Sequence, residues 1–256
     1  MTRTQVGIPR RTALFPTCVV DAVAPEVGLA TARVLGRLGT EVHVPAEATC
    51  CGQPAWNAGH AEAAAQVART TLRALASSDA EAIVVPAGSC ATMIRVFWRE
   101  LFELAGTDED RRQAEQVAAR TYEFSEFLDA SGAPENAGAD RTPTVYHRSC
   151  HMLRELGIDR QPERLLDSTG TDRRPTAAEG RCCGFGGLFS VKLPEVSVAM
   201  ADEVLDAAKG AGAERVVGCD TSCLLQLESR AQRRGDELEF RHLAEVLDQA
   251  ATETES

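Results

Sequence analysis

At 256 residues, 44% hydrophobic and 25% charged, the chain can bury a real core, as one large domain or as two of about 130 residues each. A formal net charge of −11 argues against nucleic acid or an anionic membrane surface as partner, since both select a basic face. No run of about 18 apolar residues occurs, and the segment from Met1 to Gly7 lacks a signal-type apolar core, so the expectation is a soluble cytoplasmic protein with no membrane span.

In chain order, Arg11 to Cys18 reads as a strand that ends at a cysteine. Pro25 opens a helix with Val27, Ala30, Val34, Leu35 and Leu38 on one face, and Gly39 closes it. Glu41 to Pro45 is a short strand leading into a loop with Cys50, Cys51 and Gly52. An alanine-rich helix covers roughly 58–76, followed by the continuous apolar run Ala82 to Val85 expected of a buried parallel strand. A helix starts near Gly88-Ser89-Cys90, with Met93, Ile94, Phe97 and Leu101 facing inward; another spans 108–120, and Tyr122 to Leu128 closes the half. Residues 131–140 have the small, polar, Gly- and Pro-containing composition of a linker.

The second half repeats the plan. Pro143 to Cys150 is a strand ending at a cysteine; a poorly patterned region with a short helix near 163–167 leads to Cys182-Cys183-Gly184. Pro194 starts a helix, Arg215 to Cys219 is the counterpart of the Ala82 strand, Thr221 to Leu225 begins the next helix, and Leu238 to Leu247 mirrors 122–128. The expected architecture is therefore two tandem, pseudo-symmetric α/β halves, Rossmann-like, with mainly parallel strands: residues 1–130 and 141–256. Ligands of such sheets sit at the carboxyl ends of strands, which is where Cys18, Cys90, Cys150 and Cys219 fall.

Nine cysteines are too many for an ordinary chain of this kind, and an odd number leaves one thiol out of any disulfide framework. Their spacing is regular. Cys18 to Cys50 and Cys150 to Cys182 are both 32 positions; Cys51 to Cys90 is 39 and Cys183 to Cys223 is 40. Only Cys219 lacks a counterpart. Adjacent cysteines face one site only if the backbone bends between and after them, and Gly52, Gly184, Gly186 and Gly187 supply that freedom and leave room for a bulky group near the main chain. Thiolates are soft ligands suited to iron–sulfur clusters or zinc. Thiol redox chemistry is the alternative these residues leave open.

The motifs Cys50-Cys51-Gly52-Gln53-Pro54, Gly88-Ser89-Cys90 and Arg181-Cys182-Cys183-Gly184-Phe185-Gly186-Gly187 resemble those of the CCG (cysteine-rich domain) proteins, over a span from Cys18 to Leu247. The cysteine-rich chain of heterodisulfide reductase and the iron–sulfur chain of glycolate oxidase are similar, and so is the short, module-free lactate-utilisation branch. The resemblance implies cysteine-bound clusters, of a non-cubane [4Fe–4S] type in heterodisulfide reductase. Carried over, Cys150, Cys182, Cys183, Cys219 and Cys223 match the full motif; Cys18, Cys50, Cys51 and Cys90 match a version one cysteine short. Cys219 and Cys223 depart from the family's tighter terminal pair. The second half is thus the expected [4Fe–4S] site, and the first holds a second cluster, a zinc, or nothing. The implied role is an electron-transfer subunit of an L-lactate-oxidising complex, with a ferredoxin-like iron–sulfur subunit and a third small subunit as partners. The alternatives are a heterodisulfide-reductase-like thiol–disulfide reductase and a zinc-bound structural or assembly protein.

Other candidates carry less. His147 and His151 flank Cys150 and can ligate a metal or tune it by hydrogen bonding; His43 and His60 lie near Cys50 in sequence, and His242 reads as packing. Gly184-Phe185-Gly186-Gly187 lacks the Gly-x-Gly-x-x-Gly spacing of a dinucleotide loop. No ferredoxin-type Cys-x2-Cys-x2-Cys-x3-Cys-Pro run is present, so relay clusters belong on another chain. Phe97, Trp98 and Phe102 read as core or partner surface, and bound metal is expected to hold the weakly patterned stretch 158–180 together.

Overall fold

The computed structural model describes residues 7–132 and 140–254. The chain divides into two compact units after Ser131. The first carries a four-stranded sheet of β1 (Arg11–Leu14), β2 (Glu41–His43), β3 (Ala82–Val85) and β4 (Thr121–Glu123), in the order β2-β1-β3-β4. The second carries β5 (Thr144–His147), β6 (Arg215–Gly218) and β7 (Glu239–His242), in that order. All of these strand pairs are parallel. The parallel α/β architecture expected from the alternation of strand and helix signals is the one observed.

The buried strands are the apolar ones. Ile83, Val84 and Val85 are fully buried at the centre of the first sheet, as a strand covered on both faces requires. β2 is an edge strand of three residues, with Glu41 and His43 exposed; brevity and polarity blunt its free edge. The second unit reduces this edge to one parallel bridge, Thr144 with Arg173. There an arginine stands where Val42 pairs with Thr12 in the first sheet. Arg173 turns outward onto Asp167, at 2.6 and 2.9 Å.

Helices pack on these sheets. Pro25–Arg37, Ala61–Ser77 and Asp108–Arg120 serve the first unit, and Pro194–Gly210 and Thr221–Arg234 the second. The helix beginning at Gly88 runs to Ala105 through a π-helical stretch, Met93–Phe97, and a second π stretch, Met152–Leu156, follows Cys150. Trp98 and Phe102, with ring centroids 5.9 Å apart, are fully buried in the first core, so both belong to packing. Phe97 is half-buried against Trp56. The segment Tyr122 to Leu128, read as one closing element, lies across the strand Thr121–Glu123 and the helix Phe124–Ala130. No helix among the described residues is long and apolar enough to cross a membrane.

Candidate metal centre

Each sheet delivers its cysteines to the carboxyl ends of its strands. In the first unit, Cys18 opens the helix Cys18–Val23 just beyond β1, and Cys90 lies in the first turn after β3. Cys50 and Cys51 arrive on the loop after β2. Cys18 Sγ is 3.8 Å from Cys50 Sγ, and Cys51 Sγ is 3.2 Å from Cys90 Sγ. The four sulfurs thus form a string, with the adjacent pair Cys50-Cys51 at its middle. In the second unit Cys150 hydrogen-bonds to Cys182, and Cys183 Sγ is 2.9 Å from Cys223 Sγ. All nine cysteines are free thiols.

The Cys-Cys-Gly triplet performs the same backbone manoeuvre twice. Gly52 has φ +86° and Gly184 φ +83°, values that an L side chain rarely adopts. An added Cβ on Gly52 would lie 2.7 Å from the carbonyl oxygen of Ala64, and on Gly184 2.4 Å from that of Ser197. Each carbonyl belongs to the fourth residue of the helix that follows, Ala61–Ser77 or Pro194–Gly210. The turn also aims a backbone N–H at sulfur: Gly52 donates to Cys50 Sγ at 3.5 Å and Gly184 to Cys182 Sγ at 3.4 Å. Gly186 and Gly187 also adopt positive φ and lead into the short helix Leu188–Lys192.

Surrounding side chains fix these loops. Thr71 Oγ1 donates to the carbonyl of Cys50 at 2.8 Å, and Trp98 Nε1 to that of Cys51 at 2.9 Å. Gln53 Nε2 reaches the carbonyl of Ser89 at 2.9 Å, tying the loop of Cys51 to that of Cys90. In the second unit Ser197 Oγ donates to the carbonyl of Gly184 at 2.8 Å and accepts from Gln226 Nε2 at 2.9 Å.

The electrostatics of the two thiol sets match. Hydrogen bonds from Cys18 and Cys51 pull the Cys50 thiol far below its ordinary range, and those from Cys150 and Cys183 do the same for Cys182. The neighbours move the other way. Cys18 and Cys150 are raised, chiefly by donating to those sulfurs and then by burial. Several buried thiolates without a cation would be costly, so a set this dense calls for a positive partner. Four converging soft donors in each half fit a metal ion or an iron–sulfur group.

The second unit differs from the first in two respects. Among the described residues, His147, Cys183 and Cys223 form a set of three buried donors whose ligand atoms all lie within 4.8 Å of one another. Burial pushes the His147 pKa down to about 4, so the ring is neutral near pH 7. Cys219, fully buried just after β6, lies outside that set, and its Sγ accepts a hydrogen bond from the Tyr146 hydroxyl at 3.4 Å. His43 and His60 are exposed and His151 is half-buried. His242 is fully buried, and its Nδ1 accepts the backbone N–H of Ala244 at 3.1 Å.

The weakly patterned stretch 158–180 has a protein partner of its own. Arg148, with its side chain 6% exposed, reaches Glu163 and Glu179 at 2.6 Å each and Asp159 at 3.0 Å. Nothing in the sequence marks this arginine beyond its place two residues before Cys150, because its three carboxylates are scattered without periodicity.

A family model described as a cysteine-rich domain, CCG, matches residues 12–95 and again 144–228. Lactate utilization protein A from an Exiguobacterium species is 42% identical over 241 residues, covering 93% of this chain and 96% of that protein. Lactate utilization protein A 1 from Bacillus cereus is 40% identical over 241 residues, covering 93% and 98%. Among solved structures, a hypothetical protein from Helicobacter pylori aligns over 97% of this chain with a TM-score of 0.56 at 9% identity, a likeness of fold alone; the chain spans 50% of that protein.

Proposed function

The chain belongs to the cysteine-rich CCG domain family, and from that premise we propose that it is an iron–sulfur electron-transfer subunit of a multi-subunit oxidoreductase acting in the oxidation of L-lactate to pyruvate. The observation that carries the reading is the doubled string of four thiols at the strand ends, in a chain alike over nearly its whole length to proteins named for lactate utilisation.

In the second half Cys150, Cys182, Cys183 and Cys223 hold a [4Fe–4S] group, with Cys219 behind them; in the first, Cys18, Cys50, Cys51 and Cys90 hold a second cluster, a zinc, or nothing. Such a cluster supplies one-electron acceptance and donation, at a potential set by its ligands, hydrogen bonds and exposure. The chain's own contribution is positional. The Gly52 and Gly184 N–H groups point at sulfur, where they stabilise negative charge. Trp98, Thr71, Ser197 and Gln226 keep the loops from relaxing when charge changes. Ser89, at the first turn of its helix, ties the Cys90 end to the Cys51 end through Gln53. A ferredoxin-like subunit and a third small subunit in the cytoplasm complete the complex, since this chain has no ferredoxin motif with which to relay electrons itself.

The test is iron, zinc and acid-labile sulfide per chain on protein purified without oxygen, with an EPR spectrum of the same sample. About four irons and four sulfides per occupied half are expected, with those of the second half lost in Cys182→Ser and in Cys183→Ser. Zinc without sulfide, or full iron and sulfide in both variants, overturns the reading.

A further inference from the structure

The two halves place different side chains at one equivalent position. Phe15 lies three residues before Cys18, and His147 three residues before Cys150. Both follow or end the strand that leads to the first cysteine, and both are buried, Phe15 completely and His147 to 6% exposure. The first half therefore has a buried phenyl ring at this position. The second presents an imidazole.

That imidazole has no other evident task. Its Nε2 is buried and has no hydrogen-bond partner among the described residues. Leaving such an atom unsatisfied is costly, and a phenylalanine at the same place would carry no such cost. The ring instead shares its surroundings with the Cys183 and Cys223 sulfurs, all three ligand atoms lying within 4.8 Å of one another. Cys219, the cysteine that has no counterpart in the first half, is engaged with the Tyr146 hydroxyl and stands outside this group. A neutral imidazole carries one N–H and one lone pair; Nε2 makes no hydrogen bond to either sulfur, and a metal held by Cys183 and Cys223 would give a ring lone pair a partner that the thiols alone do not.

We propose that His147 is a metal ligand of the second half, coordinating iron together with Cys183 and Cys223, so that this half is a mixed imidazole–thiolate site while the first is bound by thiolates alone. The inference rests on the reading that the second half binds iron. With Cys219 outside the group, a neutral imidazole in the fifth ligand position of the motif leaves the bound group less negative than a fifth thiolate would, and raises its reduction potential relative to a five-thiolate site.

The experiment uses the full chain labelled with nitrogen-15 histidine and reconstituted anaerobically with ferrous iron and sulfide, compared by pulsed EPR with His147→Phe and His147→Cys. His147→Phe copies Phe15 and preserves the volume of the corner; His147→Cys keeps a donor there and guards against a variant that loses iron altogether. The wild type is expected to show the strong hyperfine coupling of a directly bound imidazole nitrogen. That coupling disappears in both variants, although the other four of the five histidines remain, and His147→Cys retains its iron with a midpoint potential below that of the wild type. Iron and sulfide bound without any strong histidine coupling, or a coupling that survives in His147→Phe, overturns the ligation. A chain that takes up no iron and sulfide overturns the underlying functional reading, and the ligation with it.

Discussion

Replacing Gly52 with alanine tests whether the Cys-Cys-Gly triplet is a backbone device. Two costs add. The first is conformational: φ is +86°, and left-handed backbone costs an L residue about 1–2 kcal/mol, partly offset by about 0.4–1 kcal/mol because alanine also has fewer unfolded states to lose. The second is steric. The new Cβ would sit 2.7 Å from the Ala64 carbonyl oxygen and 3.2 Å from the Ala68 Cβ, in a helix whose backbone cannot swing aside as a long side chain would. Overpacking of this kind typically costs ~1–3 kcal/mol more. Gly39 separates the two costs. Its φ is +87°, yet a Cβ there meets nothing within 4 Å, so Gly39→Ala carries the conformational cost alone. Both tryptophans, Trp56 and Trp98, lie in the first unit, so their fluorescence during urea denaturation of the reduced, chelator-treated chain reports on that unit. The expectation is a loss of about 1 kcal/mol for Gly39→Ala and about 2–4 kcal/mol for Gly52→Ala. Equal losses, within about 0.5 kcal/mol of each other, would refute the argument that close approach of helix and loop is what demands glycine.

Two further perturbations probe the buried charges. Glu123 is fully buried at the end of β4, and burial lifts its carboxyl from the ordinary 4.5 to about 8, beside Glu126, which is paired with Arg95 at 2.5 Å. Between those two pH values the folded state holds a proton that the unfolded chain has released. Stability of the first unit should therefore fall as pH rises across that window, by at most about 1.4 kcal/mol per pH unit. Glu123→Gln should flatten the slope, and an unchanged slope in urea denaturation at several pH values would count against the assignment. In the second unit, Arg148→Met releases Glu179 and Asp159 and leaves the buried Glu163 to Arg160, at 2.8 Å, and Arg173, at 3.4 Å. Amide hydrogen exchange across 158–180 should speed up, with a stability loss of about 1.5–3 kcal/mol, the scale of one charge-assisted hydrogen bond to the buried Glu163, since the two released carboxylates are exposed. Unaltered protection there would mean that the segment is held by something else.

Much of the fold could be read from local patterns. The run Ala82 to Val85, the capped helix from Asp108 to Arg120 and the Pro194 helix start each carry a signal within one short window, and the structure places them as expected. The parallel order of strands followed from alternation. What local reading missed depends on pairing at a distance. Thr121–Glu123 is only three residues long and is a strand because it pairs with Ile83 to Val85. The second unit's missing edge strand follows from Arg173 and its carboxylate, not from any break in hydropathy. At the thiol sets the spacing announced convergence, and Cys51 with Cys90 and Cys183 with Cys223 do meet. The different setting of Cys219 was hidden because it depends on a tyrosine 73 positions earlier in the chain.

The duplication separates what the site needs from what it can vary. Kept in both halves are the positive φ after the paired cysteines, the N–H aimed at the first sulfur of the pair, and the short contact between the second sulfur and a cysteine on the next helix. These are backbone and spacing features, and two stretches of chain with otherwise different side chains preserve them. Varied are the residues that set the electronic surroundings: phenyl against imidazole at positions 15 and 147, and the extra cysteine at 219 with the Tyr146 hydroxyl on its sulfur. A scaffold that only tied loops together would have no use for a buried, unsatisfied imidazole in one copy and a phenyl ring in the other. On the proposed electron-transfer reading, two clusters held by one backbone plan but surrounded by different donors would differ in potential, and a difference in potential is what gives electron transfer its direction.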